Sequence, residues 1–257
     1  MPTWNPDQYL KFMGERTQPS IDLAARIEID DPQSVIDIGC GPGNSTRILR
    51  RKWKGTQLFG LDSSPEMIRK AKDDMPDIEW MVGDAMTFGF VRKYDIVFSN
   101  AALQWMKNHT SLVPRLFGIV NAGGALAVQV PANQDSPIQR AIVEVARKVR
   151  WSSSLAGCED LMTRHPVEFY YDTLSNISSR FETWETIYYH IIPSHSDLIE
   201  WYKGTGMRPY LERLPDGQRR NEFEKDILEY CRDAYEIRND GKILFPFRRI
   251  FFLAYKD

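Results

Sequence analysis

The stretch Ser34–Ser45, SVIDIGCGPGNS, decides how this chain folds. Residues 34–38 are rich in β-branched apolar side chains and read as a short buried strand. Glycines at 39, 41 and 43 follow at once, and a helix is predicted from about Ser45 to Lys52, with Asn44 or Ser45 as its N-cap. A strand that runs through a glycine turn into a helix opens a β-α-β unit, and the glycines let backbone pass close to a ligand lying across the strand ends. A tight turn with no ligand would need the same glycines, so the turn alone leaves both readings open.

The same alternation continues outward. An apolar stripe at Ile21, Leu23, Ala24, Ala25 and Ile27 predicts a helix over 16–29, closed by Asp30, Asp31 and Pro32. Gln57–Leu61 reads as a second strand ending in Asp62, after which Ser63, Ser64, Pro65 and Glu66 open a helix with Ser and Asp caps and Pro in its first turn. Ile78–Val82 is a third strand, ending in Gly83 and Asp84, and Tyr94–Ser99 a fourth, ending in Asn100. Residues 111–121 form a helix, Gly123–Gly124 a turn, and Ala125–Val130 a fifth strand stopped by Pro131. Strict alternation with near-continuously apolar strands predicts an α/β, Rossmann-like, doubly wound, mostly parallel sheet. Phe181–Ile192 and Ile243–Tyr255 bring it to seven strands. Residues 132–172 and 197–240 read as helical insertions capping the active-site edge and forming the acceptor side of a single domain, 1–257, whose core is 35–131.

Composition sets wider bounds. With 35 acidic and 33 basic residues the net charge is −2, which gives no general attraction to nucleic acid or membrane. Cys40, Cys158 and Cys231 are far apart and form no paired motif, as suits a reducing compartment. The opening residues lack an apolar leader and no apolar run approaches the ~20 residues of a membrane span, so a cytoplasmic location is expected. No metal site is expected, and the oligomeric state is not legible.

Three acids sharpen the reading of the glycine turn. Asp37 lies two residues before Gly39, Asp62 ends the second strand where a carboxylate can accept both hydroxyls of a ribose, and Asp84 ends the third where it can accept from an adenine amino group. Acids at successive strand ends repel one another and packing does not require them. NAD is disfavoured: its G-x-G-x-x-G fingerprint is broken at Asn44, and Asp37 would repel a pyrophosphate. S-adenosylmethionine has no phosphate, and an acid near the loop would favour its ammonium.

These residues resemble the motifs of the class I S-adenosylmethionine-dependent methyltransferases. Asp37–Gly43 is similar to the first motif, Asp62 to the second, Gly83–Ala85 to the third and Tyr94–Asn100 to the fourth. The resemblance implies a cofactor site built from Asp37, Gly39, Cys40, Gly41, Asn44, Ser45, Asp62, Ser63, Met67, Gly83, Asp84, Ala85, Asn100 and Ala101, with Tyr9 and Arg16 joining from the N-terminal segment. The flanks Trp4–Leu10, Glu15–Arg16, Asn100–Trp105, Ala127–Pro131, Phe169–Leu174, Tyr188–His190, Pro193–His195 and Thr205–Pro209 are similar to one branch of that family. That branch esterifies a carboxylate of a small tricarboxylic acid. The likeness spans nearly the whole chain; Met207 stands where Leu is expected, and 150–168 matches poorly, so no contact is carried over to Arg164.

A carboxylate is deprotonated at neutral pH and attacks a sulfonium methyl directly, so no general base, and hence no catalytic residue, is expected. A tricarboxylate does need cations for its non-reacting groups, and Arg16 and Arg208 lie in matched segments. Either would be equally at home as a solvated surface residue. Alternation along 181–192 puts Tyr188 and His190 on one face and Tyr189 on the other. Tyr188, His190 and His195 are candidates for acceptor contacts and Trp105 for the wall of the transfer site, although each could instead be core. Trp4, Tyr9 and Phe12 could form a lid or a docked helix. The competing functions are methylation of another small carboxylic acid or acyl carrier, and a non-catalytic S-adenosylmethionine-binding regulator; nucleic-acid methylation is disfavoured by the charge balance.

Overall fold

The computed structural model describes residues 13–215 and 217–257, with side chains from Thr17 onward. Trp4, Tyr9 and Phe12 lie outside the described residues, as does the side chain of Arg16. The elements are α1 (Met13–Arg26), β1 (Ser34–Ile38), α2 (Asn44–Lys52), β2 (Gln57–Asp62), α3 (Pro65–Asp74), β3 (Glu79–Val82), β4 (Tyr94–Asn100), α4 (His109–Gly118), β5 (Val120–Pro131), α5 (Pro137–Arg147), α6 (Val149–Leu155), α7 (Val167–Ser175), β6 (Arg180–Ile192), α8 (His195–Lys203), α9 (Arg208–Arg213), α10 (Gly217–Ala234) and β7 (Ile243–Tyr255). They fall into two compact units: a sheet unit of residues 13–131, 165–186 and 250–257, and a helical unit that includes 132–164 and 187–249.

The sheet has seven strands in the order β3-β2-β1-β4-β5-β7-β6. Its β1–β2, β1–β4, β2–β3 and β4–β5 pairs are parallel. Gly123 and Gly124 exchange backbone bonds with Lys256, and Ala132 bonds back to Arg248, so β7 runs antiparallel to β5. The order reverses at β1, and ligands of such sheets bind beyond the carboxyl ends of the strands beside that reversal. All five residues of β1 are buried, as a central strand covered on both faces requires. β6, at one edge, alternates half-buried and exposed positions over much of its length and buries only His190 and Ile192; Tyr189 is exposed and Tyr188 half-buried.

Several boundaries differ from the sequence expectation. The first helix ends at Arg26 rather than 29, and α4 spans His109–Gly118 rather than 111–121. Asn44 and Ser45 are both helical, and the cap of α2 is Gly43, in the left-handed region with no side-chain cap. Gly123–Gly124 is no turn but lies within β5. The register with β4 shifts between Tyr94 and Ile96, and a Cβ on Gly124 would stand 2.4 Å from the Asp95 carbonyl. The Asp95 carboxylate accepts from the amides of Gln33 and Ser34 and from Asn121 Nδ2, which stabilises this irregular start. The α3 signals hold: Ser64 caps it, accepting from the Met67 amide, with Pro65 in its first turn.

The helical unit packs around aromatic side chains. Trp151 of α6 is fully buried, meets Phe223 of α10 edge-on at 5.4 Å, and donates its indole N–H to Asp226 at 2.8 Å. Tyr210 of α9 stacks on Phe223, at 6.0 Å. Trp151→Ala removes both the ring and a donor to a carboxylate. Large-to-small changes at such sites cost about 3–5 kcal/mol, so urea denaturation of Trp151→Ala should show a loss in that range. A loss within 1 kcal/mol would mean that α6 does not anchor the unit.

Candidate functional site

The site is built from the carboxyl ends of β1, β2, β3 and β4. Gly39 leaves β1 with φ +70°, and a Cβ there would lie 2.2 Å from the Ala102 Cβ, so only glycine lets the β1 and β4 ends approach this closely. Gly41, at φ +54°, faces open space; a Cβ there would meet no atom within 4 Å. The loop amides are largely taken. Gly39 and Cys40 donate to Leu61 O at 2.7 and 3.1 Å, Gly43 to Cys40 O, and Gly41 to Asp62 Oδ2 at 2.9 Å. A pyrophosphate would find few free amides here and two acids beside them.

Asp37 is fully buried under the loop. Its Oδ2 accepts from Ser45 Oγ at 2.6 Å and Thr46 Oγ1 at 2.7 Å, which ties the start of α2 to β1, while Oδ1 has no partner among the described residues. Burial pushes its carboxyl up to about 6 against the two hydroxyl bonds, with Asp62 adding like-charge repulsion. Asp62 bonds Gly41 through one oxygen and the Ser64 amide through the other. Burial raises its pKa too, opposed by these amides and that of Ser63. Each carboxylate oxygen has a second lone pair, so a diol can still be accepted. Asp84 is half-buried, with Oδ1 accepting from the Met86 amide at 2.9 Å. Asn100 ends β4 with its amide oxygen buried and without a partner among the described residues.

The remaining expected cofactor residues fall into two groups. Gly83 and Ala101 are half-buried on the loops and Ser63 is exposed there, while Asn44 is half-buried as the first residue of α2; Ala101 is held at φ +53°, a strained conformation for a residue with a Cβ. Cys40, Ser45, Met67 and Ala85 are buried. Burial lifts the Cys40 thiol well above its usual range, with Asp37 and Asp62 nearby adding to the rise. Three supports escaped the sequence reading. The Trp80 ring lies against Gly43 and Gly60, filling the space their missing side chains leave. Arg115 of α4 donates to the carbonyls of Ala85, at 3.1 Å, and Phe88, which holds the loop after β3. His109 bonds the turn that carries Trp105.

The expected acceptor residues fall in both units, and each is described within its own. In the sheet unit, Trp105 is half-buried on a short helical turn, Leu103–Trp105, after β4. In the helical unit, His190 lies among Trp201, Phe245 and Phe247, with ring centroids 5.7–6.2 Å away. Tyr188 faces the buried guanidinium of Arg249, 5.9 Å from its ring. His195, at the start of α8, bonds Tyr235 O through Nε2 at 2.8 Å, which gives it a structural task. Arg208 is buried and donates to Glu212 at 2.8 Å; burial lowers its pKa against that pairing. Arg180 is committed to a surface ion pair with Glu28 and to the Tyr255 ring. Arg249, buried in the interior of β7, was not anticipated: the adjacent pair Arg248 and Arg249 among the Phe-rich residues 243–255 carries no periodic signal that tells which one is buried.

An acid-lined glycine loop at the reversal point of this sheet defines a class, the class I methyltransferases. Residues 35–124 match the family profile described as a methyltransferase domain. The fold is shared with YcgJ protein from Bacillus subtilis, 14% identical, with a TM-score of 0.61 over 93% of this chain and 99% of that one. It is shared also with phosphoethanolamine N-methyltransferase 2 of Haemonchus contortus, 16% identical, with a TM-score of 0.57 over 93% of this chain and 53% of that one. Much nearer in sequence are the trans-aconitate 2-methyltransferases of Azoarcus sp. (strain BH72), 39% identical over 99% of each chain, and Rhodopseudomonas palustris (strain BisB18), 39% identical over the whole of both. That of Escherichia coli is 37% identical over 99% of this chain and 98% of its own. The chain belongs to the trans-aconitate 2-methyltransferase family.

The raised pKa of Asp37 has a stability consequence of defined sign. Its folded value, about 6, lies above the ordinary aspartate value of 3.8, so its contribution is present below about 3.8 and lost as pH rises through about 6. Between pH 4.5 and 7 the loss is about 2 kcal/mol. Urea denaturation at those two pH values should show wild type losing about that much relative to Asp37→Asn; parallel changes in the two proteins would mean that Asp37 titrates normally.

Proposed function

We propose that this protein transfers the methyl group of S-adenosylmethionine to a carboxylate of trans-aconitate, giving the monomethyl ester and S-adenosylhomocysteine. The observation that carries this reading is full-length kinship with trans-aconitate 2-methyltransferases, together with an acid-lined loop suited to a cationic ligand without phosphate. The methyl donor fits the residues present. The partnerless oxygens of Asn100 and Asp37 suit an ammonium, the Asp62 carboxylate a ribose, and Asp84 an adenine amino group. When bound, the donor supplies an electrophilic sulfonium methyl.

The chain's own residues then have three tasks. Residues 35–131 hold the donor, and the acids around the loop favour its positive charge. Arginines, of which Arg16 and Arg208 are the nominees, neutralise the carboxylates that do not react. The surrounding groups align the reacting carboxylate and replace its water, and this alignment carries the rate. No side chain has to remove a proton, because the nucleophile is already an anion. The setting is the cytoplasm, with which the three unbridged, buried cysteines are in keeping. Among the described residues no helix is long and apolar enough to cross a membrane.

Two measurements test this. Mass spectrometry of the wild-type protein with trans-aconitate and S-adenosylmethionine should show the monomethyl ester, and kcat should be flat from pH 6 to 8 in wild type and in His190→Gln and His195→Gln. Ester formed only from other acids would move the protein to a different acceptor. A rise with a pKa near 6.5 that either substitution abolishes would put a histidine base in the mechanism. Separately, Asp62→Ala should weaken S-adenosylhomocysteine binding at least tenfold by calorimetry, because hydrogen bonds to a charged group are worth about 1.5–3 kcal/mol each. An unchanged affinity in the folded variant would remove Asp62 from the ribose site.

A further inference from the structure

The turn Leu103–Trp105 is clamped from outside itself. His109, the first residue of α4, is almost wholly buried, and both its ring nitrogens are engaged. Nε2 lies 2.8 Å from Leu103 O, and Nδ1 lies 2.9 Å from the Tyr170 hydroxyl. A carbonyl can only accept, so Nε2 carries the proton, and Nδ1 is left with a lone pair that accepts the Tyr170 O–H. The pair of contacts therefore fixes the neutral Nε2–H tautomer. Burial lowers the His109 pKa and so favours the neutral ring; the backbone of Leu103 and Met106 opposes this, and His165, 5.1 Å away and stacked on Phe169, adds to the lowering.

The start of α4 serves this clamp in place of an ordinary cap. Asn108, the N-cap, sits in the left-handed region at φ +53° and makes no side-chain cap bond. The first helical side chain instead reaches back six residues to Leu103 O, which also accepts from the Met106 amide at 2.8 Å. On the near side of the turn the strained Ala101 is held by its amide to Gln129 O at 3.0 Å and by Gln104 Nε2 on its carbonyl at 2.6 Å. Tyr170, on α7, is buried and stacks on Phe252 of β7 at 4.8 Å. A continuous line of contacts thus runs from the sheet through α7 and α4 to a turn that carries Trp105.

We propose that His109, oriented by Tyr170, is a positioning residue for methyl transfer: it fixes the Leu103–Trp105 turn, and with it Trp105 at the wall of the transfer site. The proposal rests on the reading of this chain as a trans-aconitate methyltransferase with Trp105 beside the reacting groups. Asn100 is held independently by its pairing with Gln129 in the sheet, and Asp62 by the glycine loop, so the donor side does not depend on the clamp.

The test compares His109→Asn with His109→Gln. The longer glutamine amide can place an N–H where Nε2 stood and still donate to Leu103 O; the asparagine amide is too short. Both lose the ring, so a purely structural role would affect them alike. His109→Asn should lower kcat with trans-aconitate about 10–100-fold, the range a misplacement on the order of 1 Å produces. Its affinity for S-adenosylhomocysteine should stay within about twofold, and His109→Gln should recover most of the rate. Equal rates in the two variants, an unchanged kcat, or a cofactor affinity that falls in step with kcat would overturn the proposal. Should His109→Asn fail to fold, Tyr170→Phe, which deletes a single oxygen, carries the test. It should lower kcat several-fold and shift the His109 ring nitrogens in 15N spectra; wild-type kcat there would equally sink the idea. Should wild type not methylate trans-aconitate, the functional reading has failed, and the clamp is judged by the Trp105 indole resonance. That resonance should move in His109→Asn and return in His109→Gln, and a resonance that stays put rejects the clamp.

Discussion

The carboxylate of Asp62 is the pin on which the glycine loop turns. One oxygen receives the amide of Gly41 and the other the amide of Ser64, so a single side chain at the end of β2 fastens the glycine loop of β1 to the start of α3. The arrangement depends on the register Asp37↔Gly60 and Ile38↔Leu61, which also brings Leu61 O under the amides of Gly39 and Cys40. A shift of β2 by one residue would turn Asp62 to the other face of the sheet and release the loop at both points.

Around that pin the protein concentrates negative charge where most folds avoid it. Asp37 lies below the loop with one oxygen satisfied twice and the other not at all, and Asp62 raises its pKa further. Two desolvated acids that repel one another each disfavour charge on the other, which costs the fold stability. The protein's formal charge of −2 conceals this, because electrostatics at a site depends on where charges lie rather than on their sum. A second economy concerns backbone strain. Ala101 and Asn108, on either side of the turn after β4, are the only non-glycine residues with positive φ among those described, and the clamp from His109 lies between them. Strain of this kind persists only where surrounding contacts over-determine the backbone.

What could be read from the order of residues was local or periodic. The alternation of apolar strands with helices predicts the parallel sheet, the glycines after β1 mark the loop, and acids at the strand ends mark the ligand side, because these signals need only neighbours in sequence and the period of a strand. The Ser64 cap and Pro65 are local in the same sense. Where the local signal was ambiguous the reading failed: Asn44 has the right chemistry for a cap, but Gly43 already turns the chain, and Gly123–Gly124 resembles a turn although the chain merely bends there against the Asp95 carbonyl.

Tertiary structure alone decided the partners of these marked residues. His109 finds Tyr170 across 61 residues, Arg115 reaches back to Ala85, and Asn121 meets Asp95, each through helices and strands whose approach no local pattern specifies. The surroundings of the two histidines are tertiary in the same way: His190 sits among aromatic rings, and the His195 ring is bound to Tyr235 O. The chain's own order determined the sheet, the loop and the sign of charge around it, because hydrophobic period and strand-end chemistry are written in consecutive residues. Which side chains hold the loop, clamp the turn after β4 or carry a buried charge was decided by packing, because a hydrogen bond between distant residues exists only once the core has brought them together.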